Sequence, residues 1–402
     1  MEALVGGLSE AGLLARYHTC LAFPEAAWWM RLLPRRVSRQ LGRRSAPLPA
    51  DKIVTRPWRE LVRLALAGHG GPITAHESGW ASVDAVYHDL DRSVARTLSG
   101  EPKLRGVYAY EDGALATFRR AEEMGLARIY DLPIGYWRAS KALLAEEAER
   151  RPEWAATLMG NRDSEAKLAR KDEELARATM VVVASRFTRQ TLRMAPLNPG
   201  TAIRLVPYGA PPPCARAELE AKLRRPAGAK LRALFVGGLS QRKGIAEVFA
   251  AAEVLRSELE LTVIGRPPCD CAALSTALKS CRHLPSLPHD EILREMRGHD
   301  VLLFPSLFEG FGLVILEAMA QGTPVISTPH TAGPDVMRDG VDGFIVPIRD
   351  ADAIVARLLE LTAERARLGA MSLAAWQRAG EFTWQRYRTE VVTAVQEACD
   401  FR

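Results

Sequence analysis

Short apolar runs alternate with stretches of helical period through the C-terminal half of this sequence, and that alternation restricts the fold more than any other feature. Residues 231–236 form an apolar run closed by Gly237-Gly238, the pattern of a buried strand and its turn. Helical periodicity follows over 244–256. Residues 259–264 (closed by Gly265), 300–304 (closed by Pro305-Ser306), 324–327 and 343–346 read as further strands. A helix starting after Gly312 runs to Gln321 and stops at Gly322. Such alternation predicts a parallel sheet, because parallel neighbours need a crossover and the crossover helices cover both faces.

The N-terminal half alternates as well. Residues 106–110, 127–131, 180–184 and 203–206 read as strands. A helix is expected over 114–124, ended by Gly125, and a long charged helical region over 140–179. Ser185 should cap a helix over 187–193. Pro207-Tyr208-Gly209, followed by Pro211, Pro212 and Pro213, has the composition of an interdomain linker. The expected organisation is α/β: a Rossmann-like domain over 1–207, a ligand-binding domain over 208–380, and a terminal helix over 381–402. Phe382, Trp384, Tyr387, Val391, Val392 and Val395 have helical spacing in that last segment. Two doubly wound domains leave a cleft between them, and ligands bind such sheets beyond the carboxyl ends of the strands.

The bulk numbers fit this organisation. A length of 402 residues favours more than one domain. With 48% apolar and 25% charged residues the chain can bury ordinary cores and is not a disordered type. The formal charge of +6 suits an anionic ligand without choosing among phosphates, acidic lipids and nucleic acid, and no nucleic-acid motif is present. No stretch is apolar for long enough to span a bilayer, and the first 20 residues lack the pattern of a signal peptide, so a cytoplasmic location is expected. The six cysteines are too sparse for a disulfide framework. Cys269, Cys271, Cys281 and His283 fall close together, but their spacing is not a common zinc spacing, and the plain reading is reduced cysteines beside Pro267-Pro268.

Chemistry concentrates in two runs. In the first, Pro305-Ser306-Leu307-Phe308 leads into Glu309-Gly310-Phe311-Gly312, with Glu317 eight positions after Glu309. The helix starting near Gly312 aims unpaired N–H groups and a positive dipole end at the cleft, a site suited to a diphosphate. Two carboxylates flanking it can accept hydrogen bonds from the paired hydroxyls of sugars. In the second run, Gly237-Gly238 ends a strand of the same sheet, and Arg242 and Lys243 stand at the next helix start, where cations offset a departing diphosphate.

These runs resemble the signature of family-4 retaining glycosyltransferases of the GT-B fold. Glu309 and Glu317, with Gly310-Phe311-Gly312 between them, match the family's Glu-x7-Glu motif, and Lys243-Gly244 match the Lys-Gly of its phosphate-binding loop. Gly333-Pro334-Asp335 and the run from Asp339 to Phe344 are also similar, and the resemblance is dense over about 180–350. It implies two Rossmann-like domains facing a central cleft, a final helix crossing back to the first domain, and a nucleotide-sugar donor in the C-terminal domain. Lys243 would bind the donor diphosphate, Glu309 would touch the transferred sugar, Glu317 would hold the ribose, and amides near Gly312 and Leu313 would face phosphate or sugar. Transfer would retain anomeric configuration. No cofactor and no divalent metal are implied, because Lys243 and the helix end carry the metal's electrostatic role.

Three departures qualify the resemblance. Gly238 stands where many relatives have an arginine, and Arg242 could take that place. Tyr110-Glu111 occupies the corner where relatives often carry a His-Glu pair near the acceptor; an alternative pair is His76-Glu77. A tyrosine is a poor base at neutral pH unless its pKa is lowered. The opening strand of the first domain is absent, since residues 1–14 already read as its first helix, and a start site assigned too late in the gene explains this best. Residues 28–44 combine Trp28 and Trp29 with a series of arginines, which leaves open an anionic membrane contact at the inner surface, a cover for the domain or an acceptor-phosphate contact. The acceptor is not identified. A non-catalytic sugar-nucleotide binder and another GT-B enzyme, such as an epimerase or phosphorylase, remain alternatives.

Overall fold

The computed structural model describes residues 2–24, 45–66, 70–101, 103–158, 163–224 and 230–400. Its first element is a helix, Glu2–Glu10 (α1), as the composition of residues 1–14 predicts. Tyr17–Thr19 (β1) follows and pairs in parallel with Ile53–Thr55 (β2). Gly106–Tyr110 (β3), Ala127–Leu132 (β4), Met180–Val183 (β5) and Ala202–Leu205 (β6) form a parallel sheet in the order β3-β4-β5-β6. The second sheet holds Leu231–Val236 (β7), Leu259–Ile264 (β8), Arg282–Leu284 (β9), Val301–Phe304 (β10), Val325–Ser327 (β11) and Gly343–Ile345 (β12). All its pairings are parallel, in the order β9-β8-β7-β10-β11-β12.

That order is doubly wound: the chain starts in the middle at β7, moves outward to β9, and restarts on the other side at β10. The switch point therefore lies between β7 and β10, whose following loops open side by side at the carboxyl edge. Strands covered on both faces must be apolar throughout. Every residue of β5 and of β10 is buried.

The charged region expected to be helical over 140–179 is two helices, Trp137–Arg150 (α2) and Glu165–Arg177 (α3). Pro152 has no N–H to continue α2 and biases Arg151 away from helical angles; Arg151 stands at φ −131°. Ser164 starts α3, its hydroxyl accepting the Lys167 N–H. Ser185 caps Arg186–Thr191 (α4) in the same way. The C-terminal helices that matter below are His289–Gly298 (α5), Leu313–Ala320 (α6) and Trp384–Asp400 (α7).

Helix α7 crosses back onto the first sheet. Its Tyr387, Val391, Ala394 and Ala398 share a core with Ala127 and Ile129 of β4, Met180 and Val182 of β5, and Leu4 and Leu8 of α1. The turn into α7 is tight, because a β-carbon on Gly209 would lie 2.6 Å from the Trp384 nitrogen. Among the described residues no helix is long and apolar enough to cross a membrane.

Candidate functional site

At the switch point the two sequence runs meet. Lys243 closes a one-turn helix, Gln241–Lys243, after β7, and its ammonium forms an ion pair with Glu309 on the loop after β10. The ammonium also sits 4.9 Å from the centre of the Phe304 ring. Arg242 Nη1 donates to the Phe308 carbonyl at 2.6 Å and lies 3.4 Å from Glu309 Oε2. Glu309 is held from behind as well: its N–H donates to the His330 carbonyl at 3.1 Å. Burial pushes the Lys243 pKa down, against the pull of Glu309. Burial also acts to raise the Glu309 carboxyl, but Lys243 and Arg242 outweigh it and hold the group below its ordinary value. Glu309 is thus a fixed anion flanked by two cations.

The glycines shape the loop by two different constraints. Gly312 has φ +83°, a left-handed conformation that favours glycine, and it caps α6. Its carbonyl accepts the Ile315 N–H, while the first amides of α6 have no partner one turn back and point out of the helix end. Gly310 instead meets the other domain: a β-carbon there would lie 1.9 Å from the Pro133 carbonyl oxygen. Phe311 is buried and makes an edge contact with Tyr208, centroids 5.1 Å apart. Leu313 is exposed at the helix start.

Glu317 sits four residues into α6, about 6 Å along its axis. Burial raises its carboxyl pKa, and the imidazole of His289, the first residue of α5, lies 3.9 Å away. No ion pair joins it to Lys243 among the described residues. Its place in the site comes from the shared loop and helix after β10. Gly237 lies against the stem of Lys243, and Gly238 faces open space.

The N-terminal domain grips both loops. Ser185 and Thr188 hydroxyls donate to the Gly310 carbonyl, and Phe187 packs edge-on against Phe308. The Arg186 N–H donates to Asp335 at 3.0 Å, and its guanidinium pairs with the same carboxylate. Gln241, fully buried, donates to Glu147 of α2 at 2.7 Å and to Glu247 at 2.8 Å. Arg151 pairs with Glu247 at 2.9 Å, and Arg349 Nε lies 2.7 Å from Glu147 as an ion pair. Replacing Gln241 with leucine leaves two buried carboxylates without their shared donor. We expect a loss of about 2–4 kcal/mol, read as a lower urea midpoint at unchanged slope.

Tyr110 and Glu111 belong to a different group of contacts. Tyr110 packs beside Tyr108, ring centroids 6.1 Å apart, in the core shared with α7. Burial, then the neighbouring Asp131, raises its pKa well above that of a free phenol, so it stays protonated at neutral pH. Tyr110 thus lacks the lowered pKa that a tyrosine acting as a base at that corner would need. Asp131 accepts the Tyr108 hydroxyl at 2.6 Å, and burial pushes its own pKa up to about 6. Burial pushes Glu111 up to about 7, with Lys171 3.7 Å away opposing it. Glu77 of the alternative pair accepts from the Ser164 N–H at 2.8 Å and so braces the start of α3.

Among the described residues the ligand atoms of Cys269, Cys271, Cys281 and His283 do not converge. Cys269, Cys271 and Cys281 point at the carbonyls of Ala156, Glu153 and Leu278, and His283 Nε2 at that of Gly265. His76, Glu77 and Asp163 do converge, but Glu77 is already engaged by Ser164. The segment 28–44 lies outside the described residues. Gln241, Thr188 and His330 carried no signal in the sequence, since nothing local marks a residue as a partner across domains.

Residues 230–364 match the family described as glycosyl transferases group 1. Among curated relatives, the amylovoran biosynthesis glycosyltransferase AmsK of Erwinia amylovora is 34% identical over 169 residues, 38% of this chain and 41% of that protein. A D-inositol 3-phosphate glycosyltransferase of Geodermatophilus obscurus is 34% identical over 184 residues, 42% of this chain and 40% of that one. The chain thus spans about two fifths of the length of these relatives. Among solved structures, sucrose-phosphate synthase from Thermosynechococcus elongatus superposes with a TM-score of 0.61 at 19% identity, covering 81% of this chain and 82% of that one. Anabaena HepE in complex with UDP gives a TM-score of 0.60 at 14% identity, covering 77% and 82%. At such identities the likeness is one of fold.

Proposed function

We propose, from the GT-B fold and the match of residues 230–364 to the glycosyl transferases group 1, that this chain moves a sugar from a nucleotide-sugar donor to an acceptor with retention of configuration. One observation carries the reading: Lys243 and Arg242 converge with Glu309 at the switch point of a doubly wound sheet, beside the free amides of α6. A diphosphate there would share the Lys243 ammonium with Glu309 and take the first N–H groups of α6. Glu317 is assigned to the ribose hydroxyls and Glu309 to the transferred sugar. Solved structures of HepE with UDP and with UDP-glucose support a donor of that class.

In this reading the bond from the sugar to the diphosphate breaks as the acceptor hydroxyl attacks from the same face. The acceptor proton passes to the leaving diphosphate, so the protonated Tyr110 is not required as a base. Charge on the leaving group is met by Lys243, Arg242 and α6, which is why the proposal includes no metal. A cytoplasmic site of action and an anionic membrane contact through residues 28–44 form part of the same proposal.

A thermal-shift screen against UDP, GDP, ADP and their sugars tests it. A ligand at about 100 times its Kd adds about 2.7 kcal/mol of stability, several degrees in Tm for domains of this size. We expect one nucleotide to raise Tm and Glu317→Ala to remove most of the rise. No shift with any nucleotide would overturn the donor assignment. Binding without turnover on a panel of acceptors would favour a sugar-nucleotide binder.

A further inference from the structure

Residues 137–157 lie between β4 and β5, within the sequence of the first domain, yet their far end is built into the second. Tyr136 and Trp137, at the start of α2, pack in the core of the first domain. Trp154, just past the end of α2, is buried instead in the core around β7 and β8, together with Leu231, Ala233 and Val263. Its ring stacks on Phe249 of the helix Ile245–Val254, centroids 6.2 Å and planes 19° apart. A buried tryptophan removes a large apolar area from water, so this contact anchors the segment in the second domain.

Polar contacts flank the anchor. Arg151 pairs with Glu247 at 2.9 Å. From the loop after β8, Cys269 and Cys271 direct their thiols at the Ala156 and Glu153 carbonyls, 3.1 and 3.4 Å away. The segment is therefore a strap that leaves the first domain along α2 and is seated in the second.

The strap ends on the turn that carries Lys243. Thr157, fully buried, closes the one-turn helix Ala155–Thr157. Its hydroxyl donates to the Trp154 carbonyl at 2.7 Å, and the same oxygen accepts the Gln241 N–H at 2.9 Å. Its carbonyl accepts the Ser240 hydroxyl at 2.7 Å. Ser240 then supports the rest of the turn: its side-chain oxygen accepts the Arg242 N–H at 3.3 Å, and its carbonyl accepts the Lys243 N–H at 2.8 Å. The Gln241 side chain, shared by Glu147 and Glu247, adds a tie to α2. Lys243 does not fix the turn by itself, because its ammonium pairs with Glu309 and that pair has to admit an incoming diphosphate. A charge meant for an anion works best when its backbone is set beforehand by neighbours that stay in place.

We propose that Thr157 is a positioning residue for the phosphate site. Anchored by Trp154, it sets the backbone that aims Arg242 and Lys243, so that chain from the first domain completes the donor site of the second. The inference rests on the donor reading above. In that reading Glu317 holds the ribose, and Lys243 pairs with the residue assigned to the transferred sugar. Lys243 therefore belongs at the phosphate nearer that sugar, the one a nucleoside monophosphate lacks.

Calorimetric titration of the full chain with UDP, GDP and ADP, and with the matching monophosphates, tests the role. Thr157→Val keeps the side-chain volume but can neither accept the Gln241 N–H nor donate to the Trp154 carbonyl, whereas Thr157→Ser keeps the hydroxyl. In Thr157→Val the diphosphate affinity should fall about tenfold and the monophosphate affinity stay within about twofold of the parental value, with the diphosphate affinity restored in Thr157→Ser. An unchanged diphosphate affinity in Thr157→Val, an equal loss of both nucleotides, or no recovery in Thr157→Ser would overturn the positioning role and leave the donor reading standing. A parental protein that binds none of the diphosphates overturns both. Amide exchange on the parental chain reads the contact without a substitution. The Gln241 N–H should exchange as slowly as the amides of β7; exchange at the rate of exposed loop amides would show the strap releasing the turn and would sink the proposal.

Discussion

Lys243→Ala should lower kcat/KM by about 10²–10³-fold, the usual cost of removing one preorganised charge from a developing anion. The same change acts on stability. Glu309 is largely buried and would keep Arg242, 3.4 Å away, as its neighbouring cation. Removing one partner of a buried pair costs about 3–5 kcal/mol, and the remaining arginine should hold the loss near the lower end. The two effects separate in a double-mutant cycle. Adding Glu309→Gln removes the uncompensated charge and should recover most of the lost Tm, while turnover and the nucleotide-induced thermal shift stay depressed. If Lys243→Ala left the nucleotide shift at its parental size, the diphosphate would not be docked at Lys243.

Gly310→Val should do comparable damage by a different route. Its β-carbon would lie 1.9 Å from the Pro133 oxygen and 2.8 Å from the Ile134 Cα, both backbone atoms that cannot rotate aside. Relief requires the donor loop to retreat from the first domain, breaking the Ser185 and Thr188 hydrogen bonds to the Gly310 carbonyl. A displacement of about 1 Å between reacting groups is enough for a loss on the order of 10²-fold in turnover. Because Lys243 and Glu317 both belong to the second domain, nucleotide affinity should fall far less than turnover. Calorimetry with the nucleoside diphosphate alongside steady-state rates reads the split. Equal losses in both would place the damage in the donor site itself.

The alternating apolar runs and their glycine or proline stops determined five of the six strands of the second sheet, since strands covered on both faces are largely apolar and end where the chain turns. Lys243, Arg242, Glu309 and Glu317 were visible for the same reason: each stands at a fixed offset from a strand end. The short strands β1, β2 and β9 escaped notice because each is three residues long and has no fully buried position. The break between α2 and α3 was masked by a charge pattern that favours helix on both sides of Pro152. What only the tertiary structure decided are the pairings of residues remote in sequence. Gln241 bridges Glu147, 94 positions away, and Ser185 reaches the Gly310 carbonyl across 125. The high pKa of Tyr110 arises from burial beside Asp131 and Tyr387, groups on another strand and on the final helix. A polar side chain's role depends on which partner removes it from water, and local sequence period holds no record of partners brought in by the fold.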